Sequence, residues 1–348
     1  MGMNRLSKRI SLFLLMILMG LFSLSGCYLE TDFQGEAGRW TVHFIDVGQA
    51  DAVLIQSDGH SMLIDAGNRD DGDFLVSYLR TQGVRTLDFV IATHPHEDHI
   101  GGMTQVIQSF PVDTVIVSER DHPTRNFESM LLAIEDQDCN VIQPVAGSQY
   151  TIGEGEFTLL SPVSDCDYED NLNNTSIGIR LVLGETSFIL CGDAEKEAEE
   201  DIIQSGQLLQ GTVLKLSHHG SSTSTSDAFL EAVDPEYAVI SCGAGNQYGH
   251  PHDETLYRLA KEQIPYFRTD TQGTIVAAGD DTGWTWNADP IRANVERQTY
   301  CINTNTMKFH DPACSSVQQI TPQYREDVYA AREELVAEGY SPCGRCKP

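Results

Sequence analysis

Positive charge is what this sequence has least of. Its 348 residues carry 22 Lys and Arg against 51 Asp and Glu, a formal net charge of −29. Arg5, Lys8 and Arg9 lie in the first 26 residues, which hold no acid, so the chain beyond them is near −32. A protein that grips nucleic acid by its phosphates needs a basic face, and no extensive nucleic-acid surface is expected here. So acidic a chain repels polyanions, and chemistry on a phosphate must bring its positive charge locally, most cheaply as bound metal. A disulfide framework is also missing. Nine cysteines is an odd number at irregular spacings, which fits no simple pairing scheme. There is no low-complexity tract and no strong internal repeat. The one long apolar run, ISLFLLMILMGLF, is too short to span a bilayer comfortably.

That run follows the three early basic residues and ends in LSGC at Cys27, the layout of a secretory signal. LSGC resembles a bacterial lipobox, in which the cysteine is lipidated and the chain is cut before it. Residues 1–26 are therefore read as a lipoprotein signal peptide, Cys27 as the lipidation site and 27–38 as a tether. An uncleaved N-terminal anchor is the alternative. Either reading places the globular part at the extracellular face of the membrane.

From residue 39 to about 285, short apolar strands alternate with amphipathic helices. WTVHFI, ADAVLIQS, HSMLIDAG, DFVIATH, VDTVIVS, FTLLSP, SIGIRLVLG, TSFILCGDA, TVLKLSHHG, EYAVISCG and TIVAAG read as strands. DFLVSYLRTQG, AEKEAEEDIIQSG, SDAFLEAV and DETLYRLAKEQ read as helices. The pattern predicts an α/β protein, two packed sheets under outer helices. After about residue 285 it ends, and a tail with its own Cys/His set begins.

Seven of the eleven histidines fall in three groups, each following a predicted strand: His94/His96/His99, His218/His219 and His250/His252. The first sits in THPHEDHIGG. Pro95 biases His94 to an extended conformation, where residues two apart share a face, so His94 and His96 can meet one metal. Asp98 stands where an N-cap would begin a helix, leaving Asp98 and His99 for a second centre. Gly101 and Gly102 allow the backbone to pass close by. Asp193 ends TSFILCGD, where a carboxylate can bridge two cations. Asp65 ends SMLID and can hold a ligating imidazole by its other N–H. His250 or His252 is a candidate proton donor to a leaving oxygen. The glycines of ISCGAGNQYG are wrongly spaced for a dinucleotide loop.

HxHxDH, the later GD and HHGS resemble the metallo-β-lactamase superfamily. HFIDVGQADAVLI, THPHEDHIGG, NNTSIGIRL, LKLSHHGSSTS and YGHPHDETL resemble more narrowly the hydrolase domain of the ComEC/Rec2 competence-protein family. The resemblance covers roughly residues 40–280 and implies an αββα sandwich with a binuclear site. The ligands it implies are His94, His96, Asp98, His99, Asp193 and one of His218 and His219. The metals are most often zinc, with manganese the alternative. Ala50 replaces a usual glycine. A further superfamily ligand histidine has no counterpart other than His122, and NNTS, with Asn174 and Ser176, stands in its place as an outer shell or substrate contact. DNA translocation is not implied, because the resemblance covers the hydrolase domain alone.

Two cations about 3.5–4 Å apart lower the pKa of a shared water and neutralise charge building on phosphoryl oxygens. The expectation is therefore a monomeric, lipid-anchored, metal-dependent hydrolase of phosphodiesters, in nucleic acid or the cell envelope, with Asp98 and His250 in catalytic roles. A non-catalytic metal-containing binding lipoprotein and a DNA-uptake component are the alternatives. In the tail, His310, Cys314, Cys343 and Cys346 have the spacing of a tetrahedral structural zinc, and residues 297–348 form a module resembling the metal-binding domain of the Ada DNA-repair protein. Cys301, in a predicted strand, is not expected to ligate. A Cys343–Cys346 disulfide is the competing reading.

Overall fold

The computed structural model describes residues 39–117, 123–163, 168, 171–280, 282–292 and 297–348. Cys27, the signal, the tether and His122 lie outside the described residues.

Two large sheets dominate. The eight-stranded sheet runs, edge to edge, Gly283–Trp286, Ile275–Asp280, Trp40–Phe44, Val53–Ser57, His60–Ile64, Leu87–Ala92, Val112–Val117 and Asn140–Ile142. The seven-stranded sheet runs Tyr266–Arg268, Tyr237–Ile240, Val213–Lys215, Thr186–Leu190, Gly178–Leu183, Gly155–Ser161 and Gln149–Ile152.

Both faces of each sheet are covered, so central strands read as nearly unbroken apolar runs. Period-two alternation still sorts their side chains. Val53, Ile55, Met62 and Ile64 point between the sheets, where they meet Phe157, Leu181, Phe188 and Val213. Leu54 and Leu63 point the other way, onto Leu75, Leu79, Met103 and Val106 of the first helical layer. In the second sheet Ile189, Leu214 and Ile240 face outward onto Ile202, Phe229, Val233 and Leu259. Edge-on rings lock the middle: Phe89 lies 5.1 Å from Phe157, and Trp40 lies 5.9 Å from Phe188. The architecture is the expected αββα sandwich.

The topology positions the site. His60–Ile64, Leu87–Ala92 and Val112–Val117 run parallel, as do Thr186–Leu190, Val213–Lys215 and Tyr237–Ile240. The carboxyl ends of these strands deliver Asp65, Thr93, Asp193 and the His218–His219 pair to one edge.

Helices Met103–Ser109 and Arg125–Asp136 and the edge strand Gln149–Ile152 add to the elements expected from sequence. Regular structure also continues past residue 285. Arg325–Ala331, Arg297–Asn303, Lys308–His310 and Ser341–Pro342 form a third, four-stranded sheet, followed at the edge by helix Arg332–Ala337. None of the helices among the described residues is long and apolar enough to cross a membrane.

Candidate metal centre

THPHEDHIGG leaves its strand with His94 buried and then turns into the short helix Glu97–Ile100. The N-cap is His96, not Asp98, and no side chain caps the helix. Asp98 lies one position inside it, which frees its carboxylate for the site. His94 Nε2 and His96 Nδ1 are 2.9 Å apart, the convergence expected of extended residues two apart. The two glycines serve packing. Gly101 has a helical φ of −56°, and a Cβ there would lie 2.2 Å from the backbone N of Arg69. A Cβ on Gly102 would lie 2.4 Å from the Ala66 carbonyl oxygen.

Asp193 occupies the centre. Its Oδ1 is 3.2 Å from His99 Nε2, and its Oδ2 is 3.8 Å from His94 Nε2, 3.8 Å from His219 Nε2 and 3.9 Å from His218 Nε2. Asp98 Oδ2 is 3.3 Å from His219 Nε2. Asp98, His99, Asp193 and His219 thus offer ligand atoms all within 4.8 Å of one another. Of the two alternatives, His219 joins this cluster. His218 instead places Nδ1 3.1 Å from Glu195 Oε1. Both histidines have left-handed backbones, φ 51° and 55°, strain of the kind that functional sites retain.

Outer contacts fix these rings. Asp65 Oδ2 is 2.7 Å from His99 Nδ1, and Asp65 accepts from both the N–H and hydroxyl of Thr93. That aims His99 Nε2 at the cluster. Ser176 Oγ accepts from Asp193 N–H at 3.0 Å and lies 3.4 Å from His94 Nδ1. Asn174 does not reach the cluster; it binds the Glu195 N–H and the Glu197 carboxylate. His252 is likewise spent on the loops, with Nδ1 accepting from Ser222 N–H and Nε2 donating to the Tyr248 carbonyl.

His250 does reach the site, with its ring 5.5 Å from that of His218 and 6.2 Å from that of His219. Gln49 orients it. Its Oε1 accepts from Gly243 N–H, so its amide N–H points at His250 Nδ1, 3.2 Å away. The imidazole proton therefore sits on Nε2. Burial and the neighbouring histidines lower the His250 pKa to about 4, so at neutral pH it is a neutral N–H donor.

Two participants lie inside the motifs HFIDVGQADAVLI and LKLSHHGSSTS, where sequence reasoning assigns them no role. Asp51 and Lys215 form a buried ion pair at 2.5 Å beneath the cluster, and Asp51 Oδ1 is 3.4 Å from His219 Nδ1. A turn-type Asp and a strand Lys read as surface residues.

Charge balance tests the fit to metal. Burial opposes protonation of His99 and His219. The surrounding acids outweigh it, raising His99 well above its ordinary value and His219 to about 10. Burial likewise opposes ionisation of Asp98, but the His219 contact holds its pKa at about 2. His99 Nε2, His219 Nε2, Asp193 Oδ1 and Asp51 Oδ1 are buried and, despite the close approaches among them, none makes a well-aligned hydrogen bond. Such groups are costly unless something satisfies them. A mixed imidazole–carboxylate set aimed at one point suits divalent cations.

The profile described as "Metallo-beta-lactamase superfamily" matches residues 45–244, a stretch holding every ligand candidate above. The chain belongs to the metallo-β-lactamase superfamily. Within it, the chain is 30% identical over 252 residues to ComE operon protein 3 of Bacillus subtilis, covering 67% of this chain and 32% of that protein. It is 31% identical over 232 residues to competence protein ComA of Neisseria gonorrhoeae, covering 66% and 31%. The chain thus spans about a third of the length of these relatives. Among solved structures, the metallo-β-lactamase fold protein YhfI of Bacillus subtilis aligns with TM-score 0.46 at 14% identity, over 66% of this chain and 95% of that one. Metallo-β-lactamase folds bind divalent metals, and the cluster around Asp193 is where this member offers the ligands.

The tail holds a second cluster. His310, Cys314, Cys343 and Cys346 bring their donor atoms within 4.8 Å of one another. The N–H groups of Cys346 and Arg345 lower the Cys343 thiol pKa to about 7, and His310 Nδ1 is buried without a partner. All seven described cysteines are free, Cys343 and Cys346 included. Cys301 lies in its strand, packed beside Cys314 and Cys343 and outside the set of four.

Proposed function

We propose that the protein is a metal-dependent hydrolase of phosphodiesters, displayed on the extracellular face of the membrane by a lipidated Cys27. Asp193 carries this reading. One buried carboxylate lies among ligand-type side chains: its Oδ2 is 3.8 Å from both His94 Nε2, which meets His96, and His219 Nε2, which meets Asp98, and its Oδ1 is 3.2 Å from His99 Nε2. We assign His94 and His96 to one set and Asp98, His99 and His219 to the other. Each set would hold one divalent cation, zinc or manganese, with Asp193 between them. Bound there, the cations would supply an activated water and positive charge beside the phosphoryl oxygens. Asp65 keeps His99 turned inward, and Ser176 holds Asp193. His250 would offer the departing oxygen a hydrogen bond from its Nε2–H, in the tautomer set by Gln49, while that oxygen takes its proton from solvent.

Competence proteins among the relatives favour nucleic acid as the phosphodiester, while the net charge of −29 favours short-range contacts over a grip on long duplex. A phosphodiester of the cell envelope fits the same donors. The test is metal analysis with a screen of bis-p-nitrophenyl phosphate, single-stranded DNA, a phosphorylcholine ester and a β-lactam. About two equivalents beyond the tail's metal are expected, with turnover of phosphodiesters. His96→Ala should lower that turnover at least a hundredfold and leave the unfolding midpoint nearly unchanged, because His96 lies at the sheet edge. Turnover that survives His96→Ala would place the chemistry elsewhere.

A further inference from the structure

Between strand Tyr237–Ile240 and helix Asp253–Lys261, the chain makes a loop that carries Tyr248, Gly249 and His250. Tyr248 is 60% exposed. The loop beneath it is tightly tied. Asn246 uses its whole amide: its N–H groups donate to the Gly243 and His250 carbonyls, and its Oδ1 accepts from the N–H groups of Tyr248 and His250. His252 Nε2 donates to the Tyr248 carbonyl, and Gln49 joins Gly243 to His250. The Tyr248 ring lies 5.7 Å from that of His250 with 25° between planes, and His250 lies 6.2 Å from His219 with 26° between planes. Three near-parallel rings thus lead from solvent to the metal cluster.

An exposed tyrosine on a loose loop needs no explanation. One held on a tied loop, with its ring near-parallel to that of His250, is a flat surface whose backbone is already ordered before anything binds. It is also uncharged, which matters in a protein whose acidity disfavours a grip on phosphates. We infer that Tyr248 is a specificity-determining residue that stacks a nucleobase next to the phosphodiester being cleaved, so that the substrate class is single-stranded nucleic acid. This rests on the phosphodiesterase reading above and adds what that reading leaves open. Stacking on one aromatic ring is worth about 1–3 kcal/mol per base and tolerates any sequence. A duplex cannot offer it without unstacking.

The test is binding, which is read separately from turnover. A fluorescent ten-residue single strand with slowly cleaved phosphorothioate linkages is compared with the same strand made abasic at alternate positions. The protein is the full chain, carrying Tyr248, Tyr248→Ala or Tyr248→Trp. The wild type should prefer the base-bearing strand by about fivefold to a hundredfold. Tyr248→Ala should bring the two affinities together, and Tyr248→Trp should keep the preference. A merely structural tyrosine would weaken both strands equally on truncation and leave their ratio unchanged, which overturns the inference. So would a wild type with no preference or no binding, or a Tyr248→Ala defect seen with phosphorylcholine in place of the base-bearing strand. Absent hydrolysis alongside an intact, Tyr248-dependent preference would sink the enzymatic reading alone.

Discussion

Asp51 and Lys215 are each 3% exposed at the side chain, and the shape of the site depends on their pairing. Burial works against ionising Asp51, but Lys215 and His219 hold its carboxyl well below the ordinary range. Lys215→Met should therefore cost about 3–5 kcal/mol, because it strands a buried carboxylate. Adding Asp51→Asn should recover part of that loss, since removing both charges ends the stranding. Urea titrations of the three proteins measure this, and a single-variant cost under about 1 kcal/mol would show that the pair is solvated. The residues around it differ in how far sequence revealed them. His94, His96, Asp98, His99 and Asp193 are legible because ligand-type side chains bunch where strands end. Asp51 and Lys215 are not, since only the three-dimensional approach of the first strand's loop to the second sheet gives either one a partner. The choice between His218 and His219 was closed to sequence as well. The left-handed turn at both positions decides which ring faces inward, and neighbouring identical residues carry no sign of it.

Strands and helices were legible where pattern and punctuation agreed. Lys196–Gln204, Asp227–Val233 and Asp253–Lys261 keep their apolar residues on one face, and sequence places all three. Helix Arg125–Asp136 was harder, because Leu131 and Leu132 are exposed while Phe127, Met130 and Ile134 are buried, which smears the helical period. Its true signal was Thr124, whose side chain accepts from the Phe127 N–H as N-cap. The first strand carries a separate consequence. His43 is buried between Tyr78 Oη at 2.8 Å and Thr41 Oγ1 at 2.9 Å, and burial lowers its pKa to about 4. The unfolded chain takes up that proton near pH 6.5, whereas the folded strand resists it until pH 4. The strand's contribution is thus complete above pH 6.5, declines as pH falls from 6.5 to 4 and levels off below. A shift of this size corresponds to about 3 kcal/mol. His43→Gln should flatten the unfolding midpoint across that window relative to wild type. Identical slopes for the two proteins would show that other groups set the acid sensitivity.

At the scale of the whole molecule, the third sheet buries only a small apolar cluster, Tyr300, Ile302, Phe309 and Leu335, with the cysteine-rich cluster as a second one beside it. A metal held by His310, Cys314, Cys343 and Cys346 would stabilise such a module by binding only its folded form. The tail nonetheless touches the sandwich. Helix Arg332–Ala337 packs beside helix Asp253–Lys261, and Arg332 reaches Asp253 at 3.6 Å, just after the loop that carries His250. That ion pair is largely exposed and contributes little by itself. The body of the sandwich, with its three large clusters of buried side chains, has no need of the tail for its core. Cys343→Ser should therefore remove one equivalent of metal and open the tail to protease. It should leave the main unfolding transition in place and change the turnover of a small phosphodiester by less than about threefold. Metal content, proteolysis and rate are read from the same variant. A collapse of turnover, with the metals at Asp193 still bound, would mean that the tail holds the His250 loop in its working position through helix Asp253–Lys261, and that the third sheet acts as part of the active site.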